Sequence, residues 1–404
     1  MTPATGPAPH DGTAAPEHDP WASGELVALR ASTTTFVERE VLGHQDDWER
    51  DGLIPRALHA TAGRAGLIGA SFPEHAGGGG GGARALVTVT EAFHEAGGAG
   101  GVYASLFTAG IACPHIVTAG DPDQIARWVT PTLAGEQIGA LAVTEPDGGS
   151  DVGRLRTRAR REGDELVVDG AKTYITSGVR ADFLTTAVRT GGEDRPRSLG
   201  ISLLVIDTSS PGVTVTRRLD KLGWHASDTA ELAFTGVRVP AENLVGPEHA
   251  GFALIGSAFL TERIAMAAQA CGQARRCLDL AIAWCRERTT FGEPLIARQR
   301  VQATLVEMTR RTEVARTYTR AVVDRHERGE PLEDLVPAVC FAKNTATAAA
   351  EHVAHEALQL FGGAGYMRGS EIERQYRDVR ILGIGGGAVE VLDQLAAARM
   401  GLVP

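Results

Sequence analysis

The 404-residue sequence contains little cysteine, few aromatic residues and no long apolar run. Its five cysteines are odd in number and form no C-x-x-C pair, so the sequence indicates neither a disulfide framework nor a zinc knuckle. Apolar stretches such as residues 201–206 are far shorter than the ~20 residues that cross a bilayer. The N-terminus has no basic segment followed by an apolar one, so we expect a cytoplasmic protein with no membrane partner.

Basic residues are in the minority, with 40 Lys and Arg against 50 Asp and Glu, for a net charge of −10. A chain of this charge is not expected to use a nucleic-acid backbone as its main partner. Hydrophobic residues make up 43% and charged residues 22%, which is typical of globular proteins. The length predicts two or three domains.

Composition and periodicity divide the chain into four segments. Residues 1–22 contain five prolines and no apolar periodicity, which predicts a disordered tail. Helical spacing of apolar residues predicts an N-terminal helical domain over 23–137. Short β-branched runs predict a β-barrel over 138–250, with residues 169–170 as the turn of a hairpin between strands 165–168 and 172–176. Long Ala-rich stretches predict a C-terminal helical bundle over 251–404.

Two motifs match ligand-binding patterns by sequence, but each is better explained by secondary structure alone. Residues 383–388 match the dinucleotide pattern G-x-G-x-x-A, but the match follows a helix and lacks a βαβ unit, so we interpret it as a turn between helices. His352 and His355, with flanking glutamates, have the spacing of metal ligands on one helix face. No third ligand is evident, so a solvated helix face is favoured and no metal is predicted.

Three further stretches have the residue types of a functional site. Residues 143–151 end a strand in a polar, Gly-rich turn, which would suit a planar polar ligand or a pyrophosphate but also a plain surface turn. Residues 288–292 place a cation, a hydroxyl and an aromatic ring at the end of a long helix, as an anion clamp or a simple helix cap would. Glu262 lies beside an apolar helix wall, where its pKa would rise. By spacing alone, the favoured interpretation of Glu262 is a carboxylate that serves only the helix dipole or pairs with Arg263.

Six collinear motifs together resemble the acyl-CoA dehydrogenase family. They are VTEPDGGSD at 143–151, DGAKTYITSG at 169–178, LDKLGWHASDTAEL at 219–232, ERTTFGEPL at 287–295, QLFGGAGYM at 359–367 and RDVRI at 377–381. The resemblance runs from about residue 25 to the C-terminus. It implies an α+β multidomain fold with an N-terminal helical domain, a central β-barrel and a C-terminal four-helix bundle. It also implies non-covalent FAD held between the subunits of a homotetramer.

The resemblance assigns roles to individual residues. Within one subunit, Thr144 and Ser150 would contact the flavin and its pyrophosphate, and Tyr174 and Thr176 would pack against the isoalloxazine. A neighbouring subunit would complete the site around the adenine half of FAD. The implied cofactor-binding residues are Leu141, Val143, Thr144, Gly149, Ser150, Tyr174, Thr176, Arg288, Thr290, Phe291, Gln299, Gln359, Gly362 and Gly363.

The position of the catalytic base departs from the usual family pattern. Most members carry a glutamate after the R-D-x-x-I motif, and the matching position here is Gly386. A branch resembling the isovaleryl and long-chain enzymes carries the base early in the long helix, immediately before an arginine. Glu262 and Arg263 occupy that place, so the resemblance implies Glu262 as base, with Glu390 as a weaker candidate. The Gly386 N–H could still bind the thioester oxygen.

The function implied is FAD-dependent α,β-dehydrogenation of an acyl thioester, in which Glu262 removes the α proton and flavin N5 takes the β hydride. The acyl carrier would be coenzyme A or an acyl or peptidyl carrier protein, and an electron-transfer flavoprotein would accept the electrons. Alternatives are an oxygen-using oxidase or monooxygenase and a non-catalytic thioester-binding protein. The predicted substrate contacts are Arg263, Gly385, Tyr103 and Phe107, although core packing explains Tyr103 and Phe107 equally well.

Overall fold

The computed structural model describes residues 19–191 and 197–403. Its N-terminal part is helical, as predicted. The helices are α1 (Gly24–Phe36), α2 (Gln45–Asp51), α3 (Arg56–Arg64), α4 (Gly82–Glu95), α5 (Gly100–Leu106), α6 (Ala109–Ala112), α7 (Pro114–Ala119), α8 (Pro122–Gln124) and α9 (Thr130–Leu133). Asp121 caps α8, because its side chain accepts the N–H of Gln124.

The end of the predicted tail is ordered, so that prediction is wrong for residues 19–22. Pro20–Ala22 form a 3₁₀ turn, and the indole N–H of Trp21 donates to Asp324 at 3.1 Å. The Arg320 guanidinium lies 4.7 Å from the centre of the Trp21 ring. One partly buried aromatic anchor therefore compensates for a composition that otherwise favours disorder. Residues 1–18 lie outside the described part of the chain.

The middle part is a curled sheet of seven strands. They are β1 (Gly139–Ala142), β2 (Arg158–Glu162), β3 (Glu165–Thr176), β4 (Phe183–Arg189), β5 (Ile201–Asp207), β6 (Val213–Arg218) and β7 (Thr229–Pro240). The strand order is β1-β4-β2-β3-β7-β6, with β5 paired to β4. Within the described residues no pairing joins β5 to β6, so the predicted barrel is an open, curled sheet.

The hairpin predicted at residues 169–170 is wrong. Residues 165–176 form the single strand β3, and its pairing with β7 shifts register between Val168 and Gly170. Asp169 accepts the N–H of Gly236 across this bulge at 2.8 Å. The true hairpin joins β2 to β3 around Gly163, whose φ is +67°. Pairing with β7 therefore overrides the local turn preference of Asp-Gly.

The C-terminal part is a helical bundle. A short hairpin of β8 (Thr289–Thr290) and β9 (Glu293–Pro294) separates its first helix from its second. Its helices are α10 (Gly251–Glu287), α11 (Gln299–Glu327), α12 (Leu332–Phe361), α13 (Gly363–Tyr366), α14 (Glu371–Val379) and α15 (Val389–Arg399). Ser370 caps α14, because its hydroxyl accepts the Glu373 N–H at 3.2 Å.

Helix α10 connects the domains. It packs against α4 of the N-terminal part and against α11 and α12 of the bundle, burying an Ala-rich surface. Among the described helices it is the one long and apolar enough to cross a membrane by itself, and residues 100–106 with 109–119 pass the same test only as one bent span. Its central packing makes α10 the element that carries residues to the junction between domains.

Candidate active site

Glu262 lies on α10, next to the turn that contains Gly386. It is partly buried, and the following turn of the helix brings Met266, which is 8% exposed, onto the same face. Burial raises the pKa of Glu262 from 4.5 to about 7, although the cations of Arg263 and Lys343 oppose the rise. A carboxyl group with such a pKa is able to accept a proton near neutral pH.

The 383–388 segment forms the predicted turn between helices and faces Glu262. Gly386 and Gly387 have φ values of +62° and +103°, which side chains other than glycine rarely adopt. A β-carbon on Gly386 would lie 3.6 Å from Glu262 Oε1 and 2.4 Å from Met266 Sδ. Met266 therefore fills the space into which a side chain at residue 386 would project.

Two buried cations hold this turn. Arg263 Nε donates to the Gly386 carbonyl at 3.0 Å, and Lys343 Nζ on α12 donates to the Gly387 carbonyl at 2.8 Å. The Gly386 N–H donates to no acceptor within the described chain. The turn therefore presents a free amide donor beside the Glu262 carboxylate, which is the pairing that proton abstraction next to a carbonyl requires.

Arg263, predicted to contact the thioester carrier, also supports the turn. It is 8% exposed, its Nε is bonded to Gly386, and its guanidinium carbon lies 5.7 Å from the centre of the Phe259 ring. Burial lowers the pKa of Arg263 below its usual range. Its contact with the thioester carrier stays a prediction.

Sequence reasoning missed Lys343. Its side chain is fully buried, and burial lowers its pKa from 10.5 to about 8. The available signal was a single charged residue within the Ala-rich stretch of residues 335–350, because a lysine is almost never fully buried without a partner.

The turn at residues 143–151 is held in place by a buried ion pair. Lys172 is fully buried, and its Nζ donates to the Val143 carbonyl at 3.0 Å and to Glu145 at 2.8 Å. Glu145 also accepts the N–H of Thr157 at 2.9 Å. Burial alone would raise the pKa of Glu145, but the Lys172 cation and these hydrogen bonds lower it overall. The ion pair thus fixes the turn while Gly149 and Ser150 remain exposed.

Tyr174 lies at a second bulge in β3, where pairing with β7 shifts between Lys172 and Ile175. Its φ is +60° and its side chain is 69% exposed. Thr144 and Tyr174 lie on connected segments, since the Thr144 carbonyl accepts the N–H of Thr173 at 2.9 Å. A strained backbone that turns an aromatic ring outward fits a surface that stacks on a planar ring. Thr176 is partly buried near the end of the same strand, and Leu141 is partly buried in β1.

The bundle carries the other predicted cofactor residues on an exposed edge. Phe291 is 98% exposed at a φ of +51°, in the β8–β9 turn. Arg298 braces this turn through a 2.8 Å bond to the Thr290 carbonyl. Further predicted residues on this edge are exposed: Arg288, Gln299, Gln359, Gly362 and Gly363. An exposed aromatic ring held in strained backbone fits a surface that another molecule or subunit covers.

Tyr103 has the contacts of a core residue. It is 7% exposed, its hydroxyl is bonded to Thr90 at 2.7 Å, and its ring lies 4.7 Å from Phe107 and 5.5 Å from Phe93. Of the two explanations open from the sequence, these contacts favour core packing for Tyr103. Phe107 is partly buried and stays a candidate for an acyl contact. Gly385 adjoins the Met266 methyl group, which would lie 3.3 Å from a β-carbon there.

The R-D-x-x-I motif joins the three domains. Asp378 is fully buried and accepts the N–H groups of Gly100 at 3.0 Å and Trp224 at 2.7 Å. Burial and nearby Glu49 raise the pKa of Asp378 to about 7. Its contacts reach the N-terminal helices and the sheet domain from α14, so this motif positions the turn that follows it.

Comparison with known proteins agrees with this arrangement. Family models described as the N-terminal, middle and C-terminal domains of acyl-CoA dehydrogenase match residues 23–136, 140–237 and 249–401. A long-chain specific acyl-CoA dehydrogenase from Sus scrofa mitochondria is 34% identical over 377 residues, covering 93% of this chain and 86% of the relative.

Solved structures give the same result. A putative acyl-CoA dehydrogenase from Mycobacterium smegmatis is 58% identical with a TM-score of 0.93, covering 96% of this chain and 100% of that one. A glutaryl-CoA dehydrogenase from the same organism, solved in complex with FADH2, is 25% identical with a TM-score of 0.86, covering 95% of this chain and 97% of that one. The fold and the resemblance predicted from six motifs are confirmed, and the chain belongs to the acyl-CoA dehydrogenase family.

Proposed function

We propose that this protein catalyses FAD-dependent α,β-dehydrogenation of an acyl-CoA, with Glu262 as the base that removes the α proton. The observation that carries the proposal is the position of the Glu262 carboxylate, 3.6 Å from the β-carbon site of Gly386, where other members carry their glutamate. In this proposal the base is carried by α10 and lies next to the turn that contains Gly386.

The residues divide the work as follows. An α proton is weakly acidic until its carbonyl is polarised, so the base needs a hydrogen-bond donor opposite the carbonyl oxygen. The unpaired Gly386 N–H supplies that donor without a side chain. Glu262 accepts the proton, and its pKa of about 7 lets it do so at neutral pH. Met266 fills the space between the carboxylate and the glycine turn.

The exposed residues of two surfaces fit FAD. The turn at 143–151 offers backbone N–H groups and the Ser150 hydroxyl to phosphate oxygens, and Tyr174 offers a ring to the flavin. Arg288 and Phe291 on the bundle fit the adenine half. FAD, when bound, supplies the acceptor for the β hydride.

We further propose a homotetramer in which the bundle surface around Phe291 covers the FAD of a neighbouring subunit. A 98% exposed phenylalanine supports this arrangement, since such a side chain gains most when a partner buries it. An electron-transfer flavoprotein is the proposed electron acceptor. The residue following Glu262 is an arginine, as in the branch resembling isovaleryl and long-chain enzymes, and this supports placing the protein there.

The test is anaerobic mixing of the FAD-loaded protein with acyl thioesters of varied length, on coenzyme A and on a phosphopantetheinylated carrier protein. We expect acyl-CoA to bleach the oxidised flavin absorbance and to yield the enoyl product. Bleaching only by the carrier-bound acyl group would show that the substrate is attached to a carrier protein and not to coenzyme A. Peroxide formation in air without an added acceptor would favour an oxidase. Tight thioester binding without bleaching would overturn the proposal in favour of a non-catalytic binding protein.

A further inference from the structure

The turn opposite Glu262 has almost no intrinsic rigidity. Residues 385–387 are three successive glycines, and the last two have positive φ. Glycine runs sample many conformations, so a donor N–H within one keeps its direction only if neighbouring peptide groups are fixed. On one side, the Gly385 N–H is bonded to the Ile381 carbonyl at 2.8 Å. The other side depends on side chains from two helices.

Those side chains are Arg263 on α10 and Lys343 on α12. Arg263 fixes the peptide between Gly386 and Gly387 through the Gly386 carbonyl, and Lys343 fixes the next peptide through the Gly387 carbonyl at 2.8 Å. Lys343 is fully buried, and its one hydrogen bond within the described chain is to this carbonyl. Burying an ammonium group costs free energy, so we expect a lysine at this buried position to have a role beyond packing.

We propose, as an extension of the proposed function, that Lys343 is a positioning residue that locks the glycine turn and keeps the Gly386 N–H available to the thioester oxygen beside Glu262. It acts through the Gly387 carbonyl and does not touch the substrate. The same cation favours the carboxylate form of Glu262, so one side chain supports both the donor and the base.

The charges around this site belong to α10, α12, α15 and the 3₁₀ turn Arg380–Gly383. Glu262 and Arg263 lie on α10, and Cys340, Lys343 and Glu351 lie on α12. Asp393 on α15 affects Cys340, and Glu351 is engaged by Arg380 at 2.9 Å. Lys343 is therefore a cation that acts directly on Glu262 from outside α10. Its removal should raise the pKa of Glu262, and flavin reduction should then need a higher pH.

The test compares Lys343→Met with Lys343→Gln, which keeps a donor but not the charge. The ligands are a 3-ketoacyl-CoA, which mimics the enolate, and an S-alkyl-CoA thioether, which lacks the carbonyl. By calorimetry, Lys343→Met should bind the 3-ketoacyl-CoA about tenfold more weakly and the thioether equally well, because a hydrogen bond from a charged donor is lost. Lys221→Met removes a partly buried lysine bonded to Thr229 at 2.9 Å and should change neither affinity.

The pH profile of flavin reduction is the second measurement. Both Lys343 variants should shift its acidic limb upward by about 0.5–1 pH unit. Equal losses of affinity for both ligands would overturn the proposal, as would an unchanged acidic limb of the pH profile in Lys343→Gln. If Lys343→Met does not fold, the measurements on Lys343→Gln decide the proposal. If the parent protein binds neither ligand and is not reduced, the proposed function is itself wrong. If the parent binds the 3-ketoacyl-CoA more tightly than the thioether and both variants do so equally well, the proposed role of Lys343 is wrong and the proposed function stands.

Discussion

The carboxylate of Glu262 lies over Gly386, with Oε1 3.6 Å from the point that a β-carbon on residue 386 would occupy. The two residues are far apart in the chain, and α10 and the turn before α15 bring them together. The Glu262 carboxylate therefore lies next to the turn in which residue 386 has no side chain.

Replacing Glu262 with glutamine should abolish flavin reduction while leaving FAD bound. The amide has nearly the same shape but accepts no proton, so the rate should fall about 10²–10⁴-fold. Anaerobic stopped-flow absorbance with acyl-CoA measures the rate. Glu390→Gln is the matched control, because Glu390 is exposed at the start of α15. Loss of reduction in the control with a normal rate in Glu262→Gln would transfer the base to Glu390.

The rate of flavin reduction should rise with pH through about 7. The active form of Glu262 is the carboxylate, and burial raises its pKa to about 7, so the protonated and inactive form dominates below that value. Well below the midpoint the rate should fall about tenfold per pH unit, as for a single titrating group. A profile that stays flat from pH 6 to 8 at saturating substrate would contradict this assignment.

A side chain at residue 386 should be poorly tolerated because Met266 occupies its space. Gly386→Ala places a β-carbon 2.4 Å from Met266 Sδ at a φ of +62°, and should cost about 1–3 kcal/mol of unfolding free energy. In a Met266→Ala background the steric part of this cost should shrink, so the two changes should not be additive. Urea unfolding of the four proteins in the cycle measures the coupling.

Gly256→Ala is the control for that cycle. Gly256 lies on the same helix α10, and nothing lies within 4 Å of its β-carbon position. Alanine there should be neutral or stabilising by up to about 1 kcal/mol, as expected in a helix interior. Additive costs of Gly386→Ala and Met266→Ala would show that Met266 does not fill the space above the turn.

Much of this fold follows from local sequence, but the contacts that build the site do not. The Ala-rich stretches of residues 251–404 form the predicted helical bundle, because their apolar patterns are long. The Asp169-Gly170 turn signal fails because β7 pairs across it. Lys343 bonds a carbonyl 44 residues away, and no local pattern encodes that partner.

The Lys172–Glu145 ion pair should be essential to FAD binding. Lys172→Met would leave the largely buried Glu145 carboxylate without its cation, and breaking a buried pair in this way costs about 3–5 kcal/mol. The turn at 143–151 would lose its anchor, and the purified protein should contain little FAD by absorbance. Arg156→Met breaks the exposed pair with Asp147 on the same turn and should leave the FAD content unchanged. Full FAD content in Lys172→Met would show that the pair serves folding alone.

Phe291→Asp should separate the subunits and release FAD together. The Phe291 ring is 98% exposed in one chain, so an aspartate there should cost the isolated subunit little free energy of unfolding. In the proposed assembly the aspartate carboxylate would be buried without a partner, which is unfavourable. Light scattering should show a lower mass than the parent, and absorbance should show loss of flavin. Val27→Asp, at a 55% exposed position on α1, should retain both the mass and the FAD. A Phe291→Asp protein with the parent's mass and flavin content would mean that this surface is not shared between subunits.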